Sequence, residues 1–354
     1  MINLLRLPFL LLALISLLAG LATGLNRIGW DLNIVRTSLH HGAIMVGGFL
    51  GTLISLEKII PLKNRWLYLI PVLSGMSVIF FFCSLPQISF GLLLLASAAL
   101  TGVFIYYWLR ERNTIYLLMV GGAFCWMAGN AMLLNTSLYP TAFPWWVGFI
   151  LLIITAERLE LTKFLPVTKS GKRWLLFFLI IYVAGVLLSF HAGGQRVSGI
   201  ALVATSVWLM KYDIVGIAIK KNKLQKFIAV ALLCGYISML LTGIFMLAFT
   251  SHVMAYDAIV HTFFLGFAFS MIFAHGPVIL PGVLGISAKP WHPVLYIWLF
   301  LLHCSWIMRV VADIRVDFEL RQASGIVAAA CIPAYFLSIA ALIITNQVRH
   351  AKVL

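Results

Sequence analysis

Charge is scarce in this chain. Only 10% of its 354 residues are charged and just ten are acidic, too few to solvate the surface of a water-soluble fold of this length. Paired cysteines are missing too. Cys83, Cys125, Cys234, Cys304 and Cys331 stand singly within apolar segments, so they read as small buried side chains and support neither a disulfide frame nor a thiolate metal site. No C-x-x-C-H sequence for covalent haem attachment occurs. Long polar linkers that would separate soluble domains are absent as well. What remains is hydrophobic: 63% of residues, with a mean hydropathy of +1.06.

Apolar runs of about 20 residues, the length that crosses a bilayer core, recur along the whole chain. They predict twelve transmembrane helices at roughly 7–25, 36–56, 66–85, 88–109, 114–134, 145–162, 174–190, 197–218, 227–249, 254–274, 291–311 and 324–345. The first run is long, lacks a small-residue cleavage pattern and is followed by further spans, so it reads as a retained helix. The expected fold is an all-α polytopic membrane protein, one domain over residues 1–354. The net charge of +15 does not point to nucleic acid, because it is distributed by topology. With the N-terminus inside, 19 of the 25 Lys and Arg fall on the inner side, and only Arg27, Arg36, Arg196, Arg309, Arg315 and Arg321 fall outside. This positive-inside bias places both termini in the cytoplasm, in a bacterial-type inner membrane, with the lipid bilayer as the partner. Trp145 and Trp146 open a span from the outer side, where amphipathic rings favour the interface.

A short phrase appears three times. Gly48-Phe49 is followed by Ile54 and Glu57, Gly148-Phe149 by Ile154 and Glu157, and Gly266-Phe267 by Ile272 and His275. The phrases fall on spans two, six and ten, all running in one direction, which predicts three pseudo-equivalent groups of four helices. The glycine permits close helix approach and the phenylalanine fills the adjacent groove. The terminal Glu57, Glu157 and His275 have two readings. One is ordinary interfacial ion pairing with the following Lys58 and Arg158. The other is an inner polar cluster serving as a proton entry or weak metal site.

Of nine histidines, His191, His252, His292 and His350 fall in or near loops and read as solvated. His40, His41, His261 and His303 lie within spans two, ten and eleven. At 1.5 Å per residue the last three sit roughly 8, 10 and 12 Å below the predicted outer ends, nearly one level. Intramembrane ionisable residues are costly and point to function, and neutral imidazole is a good ligand for iron, copper and zinc. A haem needs axial imidazole and cations for its propionates. His41 or His40 offers one ligand, His261 or His303 another, and Arg36 and Arg309 the cations. A copper site would use the same histidines with Met45, four residues after His41. Asp257, four before His261, is placed to orient its ring. The expectation is that His41, His261 and His303 converge on a common site.

The stretch His40-His41-Gly42-Ala43-Ile44-Met45-Val46-Gly47-Gly48-Phe49-Leu50-Gly51 resembles the His-x-x-x-Met and Gly-Phe-Leu-Gly segment of NnrS-type membrane proteins. The run from His261 through Phe263, Leu265, Gly266 and Phe267 to His275-Gly276-Pro277, and Ala156-Glu157-Arg158-Leu159-Glu160-Leu161, are similar to segments of related proteins. The resemblance implies a twelve-helix haem- and copper-containing protein linked to the nitric-oxide response, distantly similar to the catalytic subunit of haem-copper oxidases. There, histidines on helices two and ten bind a low-spin haem. By position His41 (or His40) and His261 would carry that role here, with His303 an additional candidate. This chain departs from the oxidases: span six has no His, span seven has no His-His pair, and span ten lacks the closely spaced pair that serves two haems. A full oxygen-reducing centre is therefore not reproduced, and no enzymatic turnover is assigned.

The leading expectation is a membrane metalloprotein binding haem b and/or copper through outer-half histidines, with a redox or nitric-oxide-related role and a redox partner. The alternative is a secondary transporter or channel for a small molecule, metal or proton. Transporter repeats, however, usually come as inverted halves, whereas this repeat is threefold and parallel.

Overall fold

The computed structural model describes residues 4–188, 193–249, 251–287 and 289–351, without the side chains of Phe164 and 346–351. His191 and Lys352, and the side chains of Arg349 and His350, lie outside the described residues. No strand occurs among those described. The long helices are α1 Leu7–Arg27, α2 His41–Leu62, α3 Arg65–Phe82, α4 Pro86–Glu111, α5 Thr114–Thr136, α6 Tyr139–Leu161, α7 Lys169–Leu187, α8 Gly194–Tyr212, α9 Lys223–Ala248, α10 Ala255–Val283, α11 Val294–Arg315 and α12 Phe318–Ala351. Among the described residues, eleven of these are long and apolar enough to cross a membrane. The other is α8, which has 19 residues but carries Gln195, Arg196, Lys211 and several hydroxyls.

Local chemistry sets the helix ends. Arg112 closes α4 in the left-handed conformation at φ 48°, and the Asn113 side chain then accepts from Ile115 N at 3.0 Å to open α5. Val316 turns α11 into α12 at φ 56°, a costly conformation for a β-branched residue. Asp317 follows it and accepts from Leu320 N at 3.0 Å. Large apolar side chains such as Ile180, Phe300 and Leu337 face outward, while hydroxyls such as Ser55, Ser97, Thr242 and Ser270 are buried and donate to a carbonyl one turn back. Apolar outside with satisfied polar groups inside is what lipid demands.

By internal packing the chain forms two compact units, Met1–Glu157 and Arg158–Leu354. In the first, α2 is the core element. A Cβ added at Gly48 would lie 2.5 Å from Val78 of α3 and 3.5 Å from Ser16 of α1, so only glycine permits this approach. In the second, the same position of the phrase, Gly266, would meet Ser238 of α9 at 2.7 Å and Trp306 of α11 at 3.4 Å. Phe49, Phe149 and Phe267 are all buried, and Phe149 stacks on Trp126 at 5.0 Å. The spans carrying the phrase are the three most buried of the eleven, at 67, 72 and 61% of residues against 28 to 56% elsewhere. They are the interior helices of their units.

Two of the three share a further feature. Ile44–Gly51 of α2 and Thr262–Ala268 of α10 are π-helical, with hydrogen bonds lengthened to i→i+5. In the register of the phrase these stretches begin at the same position and end one residue apart. π-Bulges are rare and concentrate at functional sites.

Candidate functional site

At the carboxyl-terminal ends of the phrases, the polar residues pair across helices. Lys58 Nζ, on α2, donates to Glu57 Oε1 at 2.8 Å and also to Glu157 Oε1 of α6. Arg158 Nη2, on α6, donates to His275 Nε2 of α10 at 2.8 Å, and His275 Nδ1 donates to the Met271 carbonyl at 2.6 Å. In each case the basic residue after one phrase reaches the polar end of the next. The adjacent Glu57–Lys58 ion pair exists as expected. Glu157 is engaged by Lys58 of α2, and Arg158 reaches His275 of α10. Arg158 is itself buried, and within the same unit the Tyr236 hydroxyl donates to Asp213. His275 has both ring nitrogens engaged, so it serves as a structural acceptor in this arrangement.

The spanning histidines divide by what holds their rings. His41 Nδ1 donates to the Gly20 carbonyl of α1 at 2.8 Å, and Gly24 provides the space, since a Cβ there would lie 2.8 Å from His41 Cε1. His261 Nδ1 donates to the Asp257 carbonyl at 2.9 Å, with Asp257 Oδ2 at 3.3 Å. A carbonyl at Nδ1 fixes the Nδ1–H tautomer and puts the ring's lone pair on Nε2, the arrangement of a metal-ligating imidazole. His303 differs. Its Nδ1 accepts from Trp306 Nε1 at 2.8 Å and its Nε2 donates to Ser270 Oγ at 3.1 Å, while Ser270 donates to the Gly266 carbonyl. Both of its ring nitrogens are hydrogen-bonded to neighbouring side chains. His40 stacks on Phe81 at 4.8 Å and bonds the Tyr139 hydroxyl at 3.0 Å.

Within the second unit, His261 and His303 do not share the level expected of them. The chain makes a separate turn at Val35–Ser38, so α2 begins at His41 and not near Arg36. His261 lies about six residues, or roughly 9 Å, inside α10. His303 bonds Ser270, some nine residues beyond His261, which separates their attachment points by roughly 13 Å of helical rise. Turn formation, which hydropathy does not register, moved the boundaries.

The proposed supporting residues fare unevenly. Met45 shares the α1-facing side of α2 with His41, its sulfur packed against Gly20. Arg36 is exposed. Arg309 is buried and committed to protein: its Nε and Nη2 bind Asp257 Oδ2 and Oδ1 at 2.7 and 3.2 Å. Two partners escaped the sequence reading. Arg321 Nη2 lies 3.0 Å from Asp257 Oδ1, and Asp313 Oδ1 lies 3.6 Å from Arg309 Nε and 3.3 Å from Arg321 Nε. The available signal was Asp313 itself, an acid inside an apolar span four residues after Arg309.

His41 and Met45 lie on one side of α2, and among the described residues no three His, Cys, Asp or Glu are grouped to hold a metal ion. Arg309 directs Nε and Nη2 to Asp257.

No curated protein matches the chain in a sequence comparison. A profile described as a domain of unknown function (DUF8744) matches residues 6–344, and since this covers nearly the whole chain, the protein belongs to the DUF8744 family.

Proposed function

We propose that this chain is a multi-pass membrane haem protein of the b type, with His41 and His261 as candidate axial ligands and a redox or nitric-oxide-related role. The observation that carries the reading is the support of these two rings. On two interior helices, each beside a π-helical stretch, a carbonyl holds Nδ1 and turns the lone pair to Nε2. One axial imidazole is enough to hold a haem, so each histidine is a candidate in its own right. The resemblance of the His40–Gly51 segment to NnrS-type proteins agrees. Within this proposal twelve helices span, α8 included, in three four-helix groups with both termini cytoplasmic, and the histidines lie in the outer half.

When bound, haem supplies a one-electron couple and an axial position for a small ligand. The chain's own contribution is positioning. Asp257 holds the His261 tautomer through its carbonyl, and its carboxylate beside Nδ1 raises the basicity of the ring. Gly24 and Gly20 let α1 close on His41 and supply its acceptor. The test is visible absorption of the purified protein after expression with adequate haem. His41→Ala or His261→Ala should remove or shift the haem spectrum, whereas His303→Ala and His275→Ala should leave haem content unchanged. Equal haem in wild type and both ligand variants, each still monodisperse, would overturn the assignment.

A second reading, a proton- or solute-conducting transporter, is favoured by the buried Asp257–Arg309–Asp313–Arg321 charges in the spans. It gains if the protein is colourless and its reconstituted vesicles take up protons or solute.

A further inference from the structure

Asp313 is the least compensated acid in the described structure. Its side chain is fully buried at 0% exposure, and neither carboxylate oxygen accepts a hydrogen bond from any N–H or O–H donor. Two guanidinium groups lie nearby, yet both spend their short contacts on Asp257: three N–O distances of 2.7, 3.2 and 3.0 Å go there, against 3.6 and 3.3 Å to Asp313. An ionised carboxylate is acceptor-only, and burying one without hydrogen bonds is among the costliest arrangements a protein can hold. Asp257 Oδ2 and Asp313 Oδ1 lie against the same Arg309 Nε, at 2.7 and 3.6 Å, so the two carboxyl groups are neighbours. Two ionised carboxylates cannot bond each other. One protonated and one ionised can, as in paired carboxylates that share a proton.

We propose that Asp313 holds a proton as a neutral carboxylic acid, donating it in a hydrogen bond to ionised Asp257, and that Asp313 is a proton-binding site of the second unit. The fold builds it deliberately. Val316 at φ 56° closes the α11–α12 turn tightly enough to bring Arg321 beside Asp313. Arg309 and Arg321 hold Asp257 ionised as the acceptor. The charged and titratable groups facing Asp313 are Arg309 of its own helix, Asp257 of α10 and Arg321 of α12. His261 reaches it only through Asp257. Helix α9, which packs on the same region through Leu241 and Phe245, carries its titratable side chains, Lys223, Lys226, Cys234 and Tyr236, more than one turn to the N-terminal side of Leu241. The site stands whether or not His261 carries haem.

Infrared spectroscopy of protein labelled with carbon-13 aspartate tests this directly. At neutral pH one protonated aspartic-acid carbonyl band is expected, shifted by the label and by deuterium exchange, and absent from Asp313→Asn. Asp213 does not confuse the measurement, because it accepts from Tyr236 and the Ile214 N–H. The Asn amide can also donate to Asp257, so Asp313→Asn should melt within a few degrees of wild type. The wild-type spectrum stands without that variant. Absence of the labelled band in wild type, or its persistence in Asp313→Asn, overturns the proposal.

Discussion

Lys58 stands between two carboxylates from different helices, and its replacement exposes what the pairing contributes. With side chains only 15 to 29% exposed, removal of the ammonium leaves Glu57 and Glu157 facing each other in a poorly solvated place. Breaking a buried pair by deleting one partner costs about 3–5 kcal/mol, and the partial exposure puts Lys58→Met near the lower end. A fall of several degrees in the detergent melting temperature is expected, with partial recovery in Lys58→Met/Glu157→Gln. Additive effects in that double-mutant cycle would show that the two side chains do not interact. The same reasoning makes Arg158 and His275 a coupled pair. A further prediction concerns Gly24. Gly24→Val places methyl groups where the His41 ring lies, so it should lower haem content as His41→Ala does while costing about 1–3 kcal/mol from overpacking. Unchanged haem with unchanged stability would contradict the packing described for α1 and α2.

The π-helical stretch of α10 separates His261 from His275, and its extra residue sets the relative facing of the two. Deleting one residue within Thr262–Ala268 would return the helix to i→i+4 bonding and rotate one half against the other by about 100°. The expected outcome is near-normal helical circular dichroism with loss of the Arg158–His275 pairing, read as a lower melting temperature that Arg158→Met no longer reduces. Retained coupling between those two residues would show that the stretch does not set their orientation. The Gly-Phe phrase made the interior helices legible from sequence, because close approach needs glycine wherever the helix sits. The π-helical bonding was not legible, since hydrophobic periodicity does not distinguish i→i+5 from i→i+4 bonding over seven or eight residues. Nor were the partners that Lys58 and Arg158 find on other helices. Adjacent acid and base suggested local pairs, and only the packed helices show each base reaching the next phrase. The partners of His303 were not legible for a related reason: Ser270 and Trp306, which bond its two nitrogens, belong to the tertiary arrangement. Asp313 was visible throughout as an acid in an apolar run, yet nothing local revealed that its arginine neighbours serve Asp257 first.

Helix α8 decides the topology of the molecule. Its 19 residues extend about 28 Å, close to the hydrocarbon thickness of about 30 Å, but its polar content sets it apart from the other eleven. If it crosses, the number of spans is even and both termini share the cytoplasmic side, as the distribution of Lys and Arg predicts. Reporter fusions after Arg349 and at the N-terminus should therefore both report cytoplasm; opposite locations would remove α8 from the membrane. The central claim is that the interior histidines of this DUF8744 protein hold haem. The most direct test is the iron content and oxidised and dithionite-reduced visible spectra of the wild-type protein, purified after expression with adequate haem. The account predicts extractable haem b at or above one per chain, with absorption bands that sharpen on reduction. A well-folded preparation that is colourless and free of iron would contradict it.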